Sequence, residues 1–408
     1  MNASSGGRTA VVVVGGGIGG LAAAAGLQRV GWQVTVLERA PELGEVGAGL
    51  SLWGNAMRAL DELGVGDLVR AGGMPQASGG LRTPTGRWLS PRFDTATVEQ
   101  SLGTTILAVH RAELHRAVRS PLPPESLVTG AEVTEVEPGT ADGARAVVRY
   151  ETAAGPSVIE ADFVVAADGL NSRIRGQLWP ETPGPRYSGA TAWRAVTREA
   201  VPSLHELGGT WGRGTEFGCL PLTDGRVYWY GAVNAPEGVR HPDELGEVRR
   251  RFGHWHDPIP ALLDATDTDA VLHHDMYELA APLPSYVRGR VVLLGDAAHA
   301  MLPTLGQGAC QALEDAVVLA AAVAAPVTAR AGLGAALARY DAERRPRTQA
   351  IVRRSHRMWL AGQRLENPVA VRLRNAAIRL TPPRVALRMM IRAADWTPPS
   401  LEARAGQP

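Results

Sequence analysis

The 408-residue chain contains no lysine, so arginine and histidine supply all of its positive side-chain charge. This absence excludes the GKS or GKT turn of a P-loop, a Schiff-base lysine and the SxxK pattern of a serine nucleophile. The patterns GxSxG and HExxH are absent as well, which excludes two further common catalytic motifs. Any catalytic function must therefore rest on other groups.

Cysteine is almost absent too, since Cys219 and Cys310 are the only two and lie far apart. They provide no disulfide framework and no metal-ligand cluster, so we expect no metal and a reducing, cytoplasmic location. The histidine pairs at 254/256 and 273/274 have no third cluster to complete a metal site. We interpret them as surface or packing residues.

Charge of either sign is not in excess, because 42 basic and 41 acidic residues leave a formal net charge of +1. No global field therefore favours nucleic acid or an anionic membrane. The longest apolar run, Ala316–Val327, is broken by Pro326 and falls short of the ~20 residues that span a bilayer, so it is predicted to be a buried helix. We expect small-molecule partners, no nucleic acid, no membrane span and a monomer or homodimer.

The chain is organised around Val11–Arg39, which has the pattern of one strand, turn, helix and strand unit. Gly15, Gly17 and Gly20 supply GxGxxG, which provides a sharp turn, close approach of a pyrophosphate and helix–strand contact. Glu38 follows Gly20 at the spacing expected of an acid that binds ribose hydroxyls. A carboxylate there repels a 2′-phosphate, which favours FAD or NAD over NADP.

Further elements are predicted from turn residues and apolar periodicity. They are a glycine-rich loop at 44–52, a helix at 55–69, a hairpin at 79–89, a helix approach at 107–118, and strands at 128–136, 146–150 and 158–166. Aromatic residues alternate along Arg186–Val233, which predicts a separate antiparallel sheet. A strand at Val291–Leu294, a helix opened by GQG and arginine-rich helices at 337–360 and 369–394 follow, with apolar faces expected to pack on the first domain.

These elements predict an α/β fold with a discontinuous Rossmann-like domain, an inserted antiparallel β-sheet substrate domain and C-terminal helices. The nucleotide-binding domain is predicted at 1–78, 101–183 and 276–335. The substrate domain is predicted at 79–100, as a hairpin, and at 184–275. The C-terminal helices occupy 336–408.

Three ordered motifs each follow a short apolar strand: GGGIGG with Glu38, DGLNSRIR at 168–175, and GDAAH at 295–299 with GQG at 306–308. The set resembles the single-component FAD-dependent aromatic hydroxylases of the para-hydroxybenzoate hydroxylase type. Their marks are GxGxxG, a DG motif and a GD motif, and the resemblance covers nearly the whole chain. The phrases GQGACQALEDA and YDAERRPR bring it nearest the salicylate hydroxylase, urate hydroxylase and zeaxanthin epoxidase branch.

The resemblance implies a resident FAD held by residues from all three motifs. The residues that it implies are Gly15, Gly17 and Gly20 at the pyrophosphate, Glu38 and Arg39 at the adenosine, Val133 at the adenine, Gly49 in the glycine-rich loop, Arg111 at the middle of the cofactor, Asp168 in support of flavin and reductant binding, Asp296 at the ribityl or pyrophosphate region, and Pro303, Gly306, Gly308 and Ala309 near the isoalloxazine. A helix N-terminus at the pyrimidine edge would stabilise reduced, anionic flavin.

The reaction implied by the resemblance uses NAD(P)H as a transient reductant of FAD, with O2 then adding to give a flavin C4a-hydroperoxide. That species hydroxylates an electron-rich aromatic substrate, either phenolic or heteroaromatic. Two alternatives stay open, namely epoxidation of an alkene by the same oxidant and oxygen-independent reduction of isoprenoid double bonds. Flavin-dependent halogenation is disfavoured because the lysine and WxWxIP segment of halogenases are absent.

The substrate side is marked by two candidate catalytic residues. Some hydroxylases of this branch have a histidine on a sheet strand a few residues before a proline, whereas this chain has Glu216 in that part of TEFGCLPL. Glu216 is either a base with a raised pKa or a solvated or ion-paired strand acid. Arg194 either holds a substrate carboxylate or pairs with an acid of the protein.

Overall fold

The valine run near the N-terminus forms the central strand of a parallel sheet. The computed structural model describes residues 10–44, 48–76, 80–141, 143–201, 208–324 and 332–401. The strands in chain order are β1 (Ala10–Val14), β2 (Gln33–Glu38), β3 (Gly49–Leu52), β4 (Met74–Gln76), β5 (Leu81–Arg82), β6 (Ile106–His110), β7 (Leu127–Thr129), β8 (Glu132–Glu137), β9 (Ala146–Thr152), β10 (Gly155–Ala161), β11 (Phe163–Ala166), β12 (Pro185–Val196), β13 (Gly208–Trp211), β14 (Thr215–Pro221), β15 (Val227–Asn234), β16 (Leu272–Leu279), β17 (Val287–Arg288) and β18 (Val291–Leu293).

Helices cover the sheets and extend to the C-terminal region. In chain order they are α1 (Ile18–Arg29), α2 (Gly54–Glu62), α3 (Gly66–Gly72), α4 (Thr95–Leu102), α5 (Arg111–Arg119), α6 (Arg173–Leu178), α7 (Glu244–Phe252), α8 (Ile259–Asp264), α9 (Asp296–His299), α10 (Gly308–Val323), α11 (Leu333–Ala361), α12 (Pro368–Leu380) and α13 (Pro383–Ile391). Within the described ranges, no helix is both long and apolar enough to cross a membrane.

The parallel sheet has the strand order β17-β18-β11-β1-β2-β7, with only the β17–β18 pair antiparallel. Its inner strands are β-branched and buried on both faces, as the apolar run of β1 predicts. Because β1, β11 and β18 run in the same direction, Gly15, Asp168 and Gly295 follow them at one edge of the sheet. Ligands of open α/β sheets bind at this edge, where the strand order reverses.

The second large sheet has the order β16-β12-β15-β14-β13-β5. One face is covered by α7 and α8 and holds the side chains of Trp193, Phe217 and Trp229 in a separate hydrophobic core. The opposite face carries Ala192, Ala232 and residues in register with them. It packs against the first domain, because both alanines share a hydrophobic cluster with Leu302, which follows the GD motif. The antiparallel sheet predicted for Arg186–Val233 is confirmed for β12 to β15, and β16 adds a further antiparallel strand, although β5 pairs with β13 in parallel.

Several predicted elements are wrong in their bounds. The helix predicted at 55–69 is two helices, because the chain turns at Gly64 with φ +76°. The end of the predicted glycine-rich loop is strand β3, and the predicted helix approach at 107–118 begins as strand β6. The predicted strands at 128–136 and 158–166 are each two strands. Residues 45–47 of the loop, 79 of the hairpin and 325–327 of the apolar run lie outside the described residues.

The C-terminal helices differ from the expectation that their apolar faces pack on the first domain. Helix α11 does so, burying Leu337, Tyr340 and Ile351 among other residues. Helices α12 and α13 contain no buried residue. Leu373 is 67% exposed and Leu380 is 81% exposed, so the expectation is wrong for α12. The end of α13 is different, because Met390 and Ile391 are half-buried against a small apolar cluster on α4 and β6.

Candidate active site

The glycines of the first motif have two different roles in the structure. Gly15 has φ +109°, and a Cβ there would lie 2.3 Å from the carbonyl oxygen of Ala167. A Cβ on Gly20 would lie 2.0 Å from the carbonyl oxygen of Gly15. In contrast, Gly17 is exposed and has no atom within 4 Å of a Cβ position. The first and third glycines are thus required by the turn itself, whereas the second faces open space.

Glu38 closes the turn from the end of β2. Its Oε2 accepts a hydrogen bond of 2.6 Å from the Gly16 amide, and its Oε1 accepts one of 2.8 Å from Ala40. On the other side of the turn, Nε2 of His115 donates to the Gly16 carbonyl at 2.7 Å. Helix α1 begins here with no side-chain cap and no acidic residue in its first turn, which leaves its amides available to an anion.

The second and third motifs are joined by a buried arginine. Arg175 is 4% exposed, and its guanidinium donates to the carbonyl of Leu170 at 2.7 Å and to that of Ala297 at 3.0 Å. Asp168 accepts from the Ile174 amide through Oδ2, while its Oδ1 is buried and has no hydrogen-bond partner. Such an orphaned acceptor is costly unless a ligand completes it.

The GQG segment opens helix α10 in the same way as the first motif opens α1. Gly306 has φ +60°, and a Cβ on Gly308 would have no neighbour within 4 Å. Helix α10 has no side-chain cap and no acidic residue in its first turn. The indole Nε1 of Trp53 lies 3.1 Å from a Cβ position at Gly306 and is buried without a hydrogen-bond partner. Unpaired amides and an unpaired indole donor therefore converge near Ala309.

A buried ion network lies beneath this helix and holds the GD motif. Arg344 pairs with Glu314 and, at 2.7 Å, with Asp315, and all three side chains are fully buried. Asp315 also accepts from the amide of Gly295 at 3.0 Å and from His299 at 2.6 Å. Burial by itself would raise the pKa of Asp315, but His299 and Arg344 outweigh it and lower the pKa to about 2.

Arg111, Asp296 and Arg194 form a charged junction between the two sheets. Arg111 is accessible to water, yet desolvation lowers its pKa, and Asp296 opposes that shift while Arg194 adds to it. A side chain that is both accessible and surrounded by protein lies in a cleft. Tyr228 lies near the same charges, since it also acts on the pKa of Arg111. Its side chain packs against Gly49, where a Cβ would lie only 2.6 Å from it. Gly49 therefore permits contact between β3 and the substrate sheet.

Comparison with known proteins identifies the family that uses this arrangement. Residues 8–355 match the family described as FAD binding domain, which is most of the chain. The chain belongs to the FAD-dependent aromatic hydroxylases. It is 39% identical over 372 residues to an aurachin C monooxygenase/isomerase of Stigmatella aurantiaca, covering 91% of this chain and 94% of that protein. It is 33% identical over 384 residues to a 2-heptyl-3-hydroxy-4(1H)-quinolone synthase of Pseudomonas aeruginosa, with coverage of 91% and 94%.

A solved structure gives the same result for the fold of the enzyme. Klebsiella pneumoniae HpxO, complexed with FAD and uric acid, matches with a TM-score of 0.85 and 29% identity over 94% of this chain and 96% of that chain. The predicted fold class, the FAD cofactor and the monooxygenase activity are confirmed, and NAD(P)H as reductant is typical of this family. The comparisons support hydroxylation and give no support to epoxidation or to oxygen-independent reduction.

The residues of the three motifs fit FAD on structural grounds. Open space lies beside Gly17, Gly169 and Gly308, where a Cβ on any of them would meet no atom within 4 Å. The N-termini of α1 and α10 have no side-chain cap, so their first amides suit an anionic group such as a pyrophosphate or a reduced flavin ring. The structure therefore brings together predicted residues from all three motifs.

Other predicted cofactor residues lie at the margins of this cleft. Arg39 is exposed at the end of β2, and Pro303 is exposed at the start of a 3₁₀ turn. Val133 lies on β8, an edge strand of a three-stranded sheet with the order β10-β9-β8, next to a register shift. Edge strands leave backbone groups available for a ligand, which agrees with a backbone contact at Val133.

Glu216 lies on the cleft-facing side of the substrate sheet. Across the strands it is in register with Ala232, which is in register with Ala192 on β12. The hydroxyl of Tyr230 donates to Oε1 of Glu216 at 2.9 Å. Burial raises the pKa of Glu216 above its ordinary value of 4.5, although hydrogen bonds from Tyr230 and Trp211 oppose the shift.

Sequence reasoning missed several residues that complete the site. Tyr230 and Trp211 contact Glu216 because of strand register, which pairs residues far apart in sequence. The alternation of YWY at 228–230 did place both tyrosines on one face, and this was the available signal. The charged residues of the network around Arg344 lie in the segments GQGACQALEDA and YDAERRPR. In the sequence these segments support only the family resemblance and give their charged residues no role.

Proposed function

We propose that the enzyme hydroxylates the nitrogen-containing ring of a 4(1H)-quinolone or a related neutral heteroaromatic with a ring N–H. One atom of O2 enters a ring C–H bond and the other leaves as water, with NAD(P)H and a proton supplying the reducing equivalents. When bound, FAD accepts hydride from NAD(P)H and activates O2 as an electrophile. The quinolone synthase named above supports this substrate class.

The proposed substrate class rests on Glu216 and on the groups that surround it. The row of the sheet that contains it continues through Ala232 and Ala192, which belong to an apolar cluster with Ala190, Met276, Leu302 and Trp359, and Arg374 is the nearby cation that opposes the rise of its pKa. An ionised carboxylate in such surroundings accepts hydrogen bonds and repels a substrate carboxylate. The site therefore favours a flat, neutral ring with an N–H donor over a benzoate-type substrate.

Arg194 supplies the complementary donor. It is in register with Tyr230, two residues along the strands from the row that contains Glu216. Strand β15 lies between β12 and β14, so the two residues are about 10 Å apart across the strands and about 6.6 Å apart along them. Their long side chains can therefore reach a flat ring placed between them from two sides. We propose that Glu216 accepts the ring N–H while Arg194 donates to the ring oxygen.

The proton path follows from this placement. As the ring carbon next to the oxygen-bearing carbon attacks the electrophilic oxygen, the ring nitrogen becomes more acidic. Glu216 then takes the N–H proton, for which a carboxylate of raised pKa is a stronger base than an exposed glutamate. The hydrogen bond from Tyr230 holds the carboxylate in position. The attacked carbon then loses its proton and Glu216 returns a proton to the ring nitrogen, which restores the aromatic ring with its N–H.

The cofactor roles are proposed for the predicted residues. The amides of Gly15, Gly17 and Gly20 would meet the pyrophosphate, Glu38 and Arg39 the adenosine, and Val133 the adenine. Arg111, Asp168 and Asp296 would meet the middle of the cofactor, while Gly49, Pro303, Gly306, Gly308 and Ala309 would surround the flavin ring. Open space at Gly17 and Gly308 and the unpaired Oδ1 of Asp168 support these roles.

The test is a panel of substrates with the FAD-loaded enzyme. We expect 2-alkyl-4(1H)-quinolones to stimulate NAD(P)H oxidation and to yield a product heavier by one oxygen, with labelled O2 as the source. Salicylate and 4-hydroxybenzoate should give neither effect. Turnover of the carboxylated phenols without turnover of any quinolone would overturn the proposed substrate class.

Two organisational predictions complete the proposal. We propose an FAD-binding domain, a substrate domain and C-terminal helices at the predicted boundaries. Separate hydrophobic cores in the parallel sheet and in the substrate sheet support the division between the two domains. We also propose a cytoplasmic monomer or homodimer that binds small aromatic substrates. The free, buried Cys219 and Cys310 support a reducing compartment.

A further inference from the structure

The apolar side chains that water reaches are concentrated on two helices. The large hydrophobic residues found exposed in the described chain are Leu68, Val158, Leu360, Val369, Leu373, Leu380, Val385 and Met389. Five of these eight lie on α12 and α13. Concentrated exposure of this kind marks an interaction surface, whereas scattered exposure does not.

The same two helices carry charge of one sign only. Residues 367–394 contain six arginines and no aspartate or glutamate, although the whole chain is nearly neutral. The arginines are Arg372, Arg374, Arg379, Arg384, Arg388 and Arg392. The expectation of no attraction to anionic surfaces, drawn from net charge, therefore does not hold locally.

The helical geometry arranges these residues as a stripe with a charged margin. At 3.6 residues per turn, Val369, Leu373 and Leu380 fall within about 40° of one another on α12. Arg372 and Arg379 lie about 60–80° to one side of that stripe. On α13, Val385 and Met389 repeat the pattern, with Arg388 about 60° away. All of these side chains are exposed.

We propose that the exposed face of α12 and α13 docks on an anionic phospholipid bilayer. This face consists of the five apolar residues and three arginines whose helical positions are given above. A helix that lies in a membrane interface presents an apolar stripe to the acyl boundary and arginines to the headgroups. The arginine stems can extend along the stripe while their guanidinium groups stay at phosphate level.

A second copy of the chain is the less favourable occupant. A two-fold contact through this face would set arginines against arginines, with no acid between residues 367 and 394 to offset the repulsion. The face is also made from the outer sides of two helices whose residues are exposed or half-buried. A bilayer accepts such a surface without a matching groove.

This face is joined to the substrate sheet. Arg374, on the inner side of α12, donates to the carbonyls of Gly362 at 2.7 Å and Gly212 at 3.3 Å. Its guanidinium also stacks on Trp211, 5.4 Å from the ring centroid. Trp211 lies directly across from Glu216 in the pairing of β13 with β14. Docking would therefore set the substrate side of the enzyme close to the lipid surface. The docking proposal holds whatever the substrate is.

The experiment measures binding of the FAD-loaded, full-length enzyme to extruded vesicles by co-sedimentation. We expect binding to vesicles with phosphatidylglycerol, little binding to pure phosphatidylcholine, and loss of binding as salt shortens the Debye length from ~10 Å to ~3 Å. The variant Arg372→Gln/Arg379→Gln should bind more weakly by a factor of roughly 30. Leu373→Glu/Leu380→Glu should abolish binding.

Matched controls separate this face from general effects. Leu68→Glu/Val158→Glu changes exposed apolar residues elsewhere, and Arg87→Gln/Arg119→Gln removes the same charge from other exposed positions. Both controls should bind vesicles as the wild type does, and all variants should keep their FAD content. Failure of the wild type to bind anionic vesicles, or equal loss in the controls, would overturn the proposal. So would a concentration-dependent dimer abolished by Leu373→Glu/Leu380→Glu.

Discussion

The variants Gly17→Ala and Gly20→Ala test separately the role of the glycines in binding FAD and their role in forming the turn. Gly17→Ala should change the affinity for FAD, and Gly20→Ala should change the stability of the fold. Gly17 has φ −74° and ψ 176°, angles that alanine adopts readily, and a Cβ there meets nothing within 4 Å. Alanine should therefore leave the FAD-free fold intact. It should even stabilise that fold by about 0.4–1 kcal/mol, because the unfolded chain loses freedom.

The same methyl group should weaken FAD binding. The open space beside Gly17 is where a pyrophosphate would approach the backbone, and a methyl there would push the phosphate away from the amides of α1. Losing one charge-assisted hydrogen bond costs about 1.5–3 kcal/mol. The dissociation constant for FAD should therefore rise about 10- to 150-fold.

Gly20→Ala should act in the opposite way on the fold. Its Cβ would lie 2.0 Å from the Gly15 carbonyl oxygen, where ordinary contact begins at 3.4 Å, so the turn must open by more than an ångström. Crowding of this kind destabilises by about 1–3 kcal/mol. Urea unfolding of the FAD-free proteins and FAD titration by fluorescence quenching measure the two effects. If Gly17→Ala bound FAD as tightly as the wild type, or unfolded as readily as Gly20→Ala, the division of roles would be wrong.

Four further predictions follow from the site. If Glu216 is the base, initial rates should rise with pH through its raised pKa, and Glu216→Gln should remove that rising limb of the pH–rate profile. The raised pKa also means that the wild type loses stability relative to Glu216→Gln as the pH rises above 4.5. Tyr230→Phe removes a hydrogen bond that lowers this pKa, so the limb should move to higher pH, and an unmoved limb would contradict the pairing. Arg344→Met removes the shared partner of two buried carboxylates, although Arg347 still pairs with Glu314 and His299 with Asp315. It should therefore cost about 3 kcal/mol in urea unfolding, the lower end for breaking a buried ion pair, against little for the exposed control Arg119→Met. Asp296→Ala should yield protein with strongly reduced flavin content, and full FAD occupancy would remove Asp296 from the cofactor site.

The cofactor half of the molecule could be predicted because its signals are local. A buried strand, a glycine turn and an uncapped helix follow one another along the chain, and the spacing of Gly15, Gly17 and Gly20 is set by backbone geometry. The strands before Asp168 and Gly295 have the same apolar pattern, and the structure places all three at one sheet edge. Here a short stretch of sequence is sufficient to determine the local structure.

The substrate half could not be predicted to the same extent, because its contacts depend on strand register. Glu216 meets Tyr230 and Trp211 only through the pairing of β13, β14 and β15, which no short pattern determines. The exposure of α12 and α13 was missed for a related reason. Their amphipathic pattern was assumed to face protein, whereas helical periodicity shows only that one face is apolar.

The order of strands in the parallel sheet also determines when a growing chain can first retain its cofactor. β1 and β2 are complete by Glu38, but the strand that pairs with the far side of β11 is β18, at Val291–Leu293. The amides of α10 follow only from Gly308. Until those residues leave the ribosome, β11 presents an open, apolar edge of the kind that chaperones protect. If α10 holds the flavin as proposed, we expect flavin capture to be a late event in biosynthesis, and a chain truncated before residue 308 to lack part of the proposed cleft.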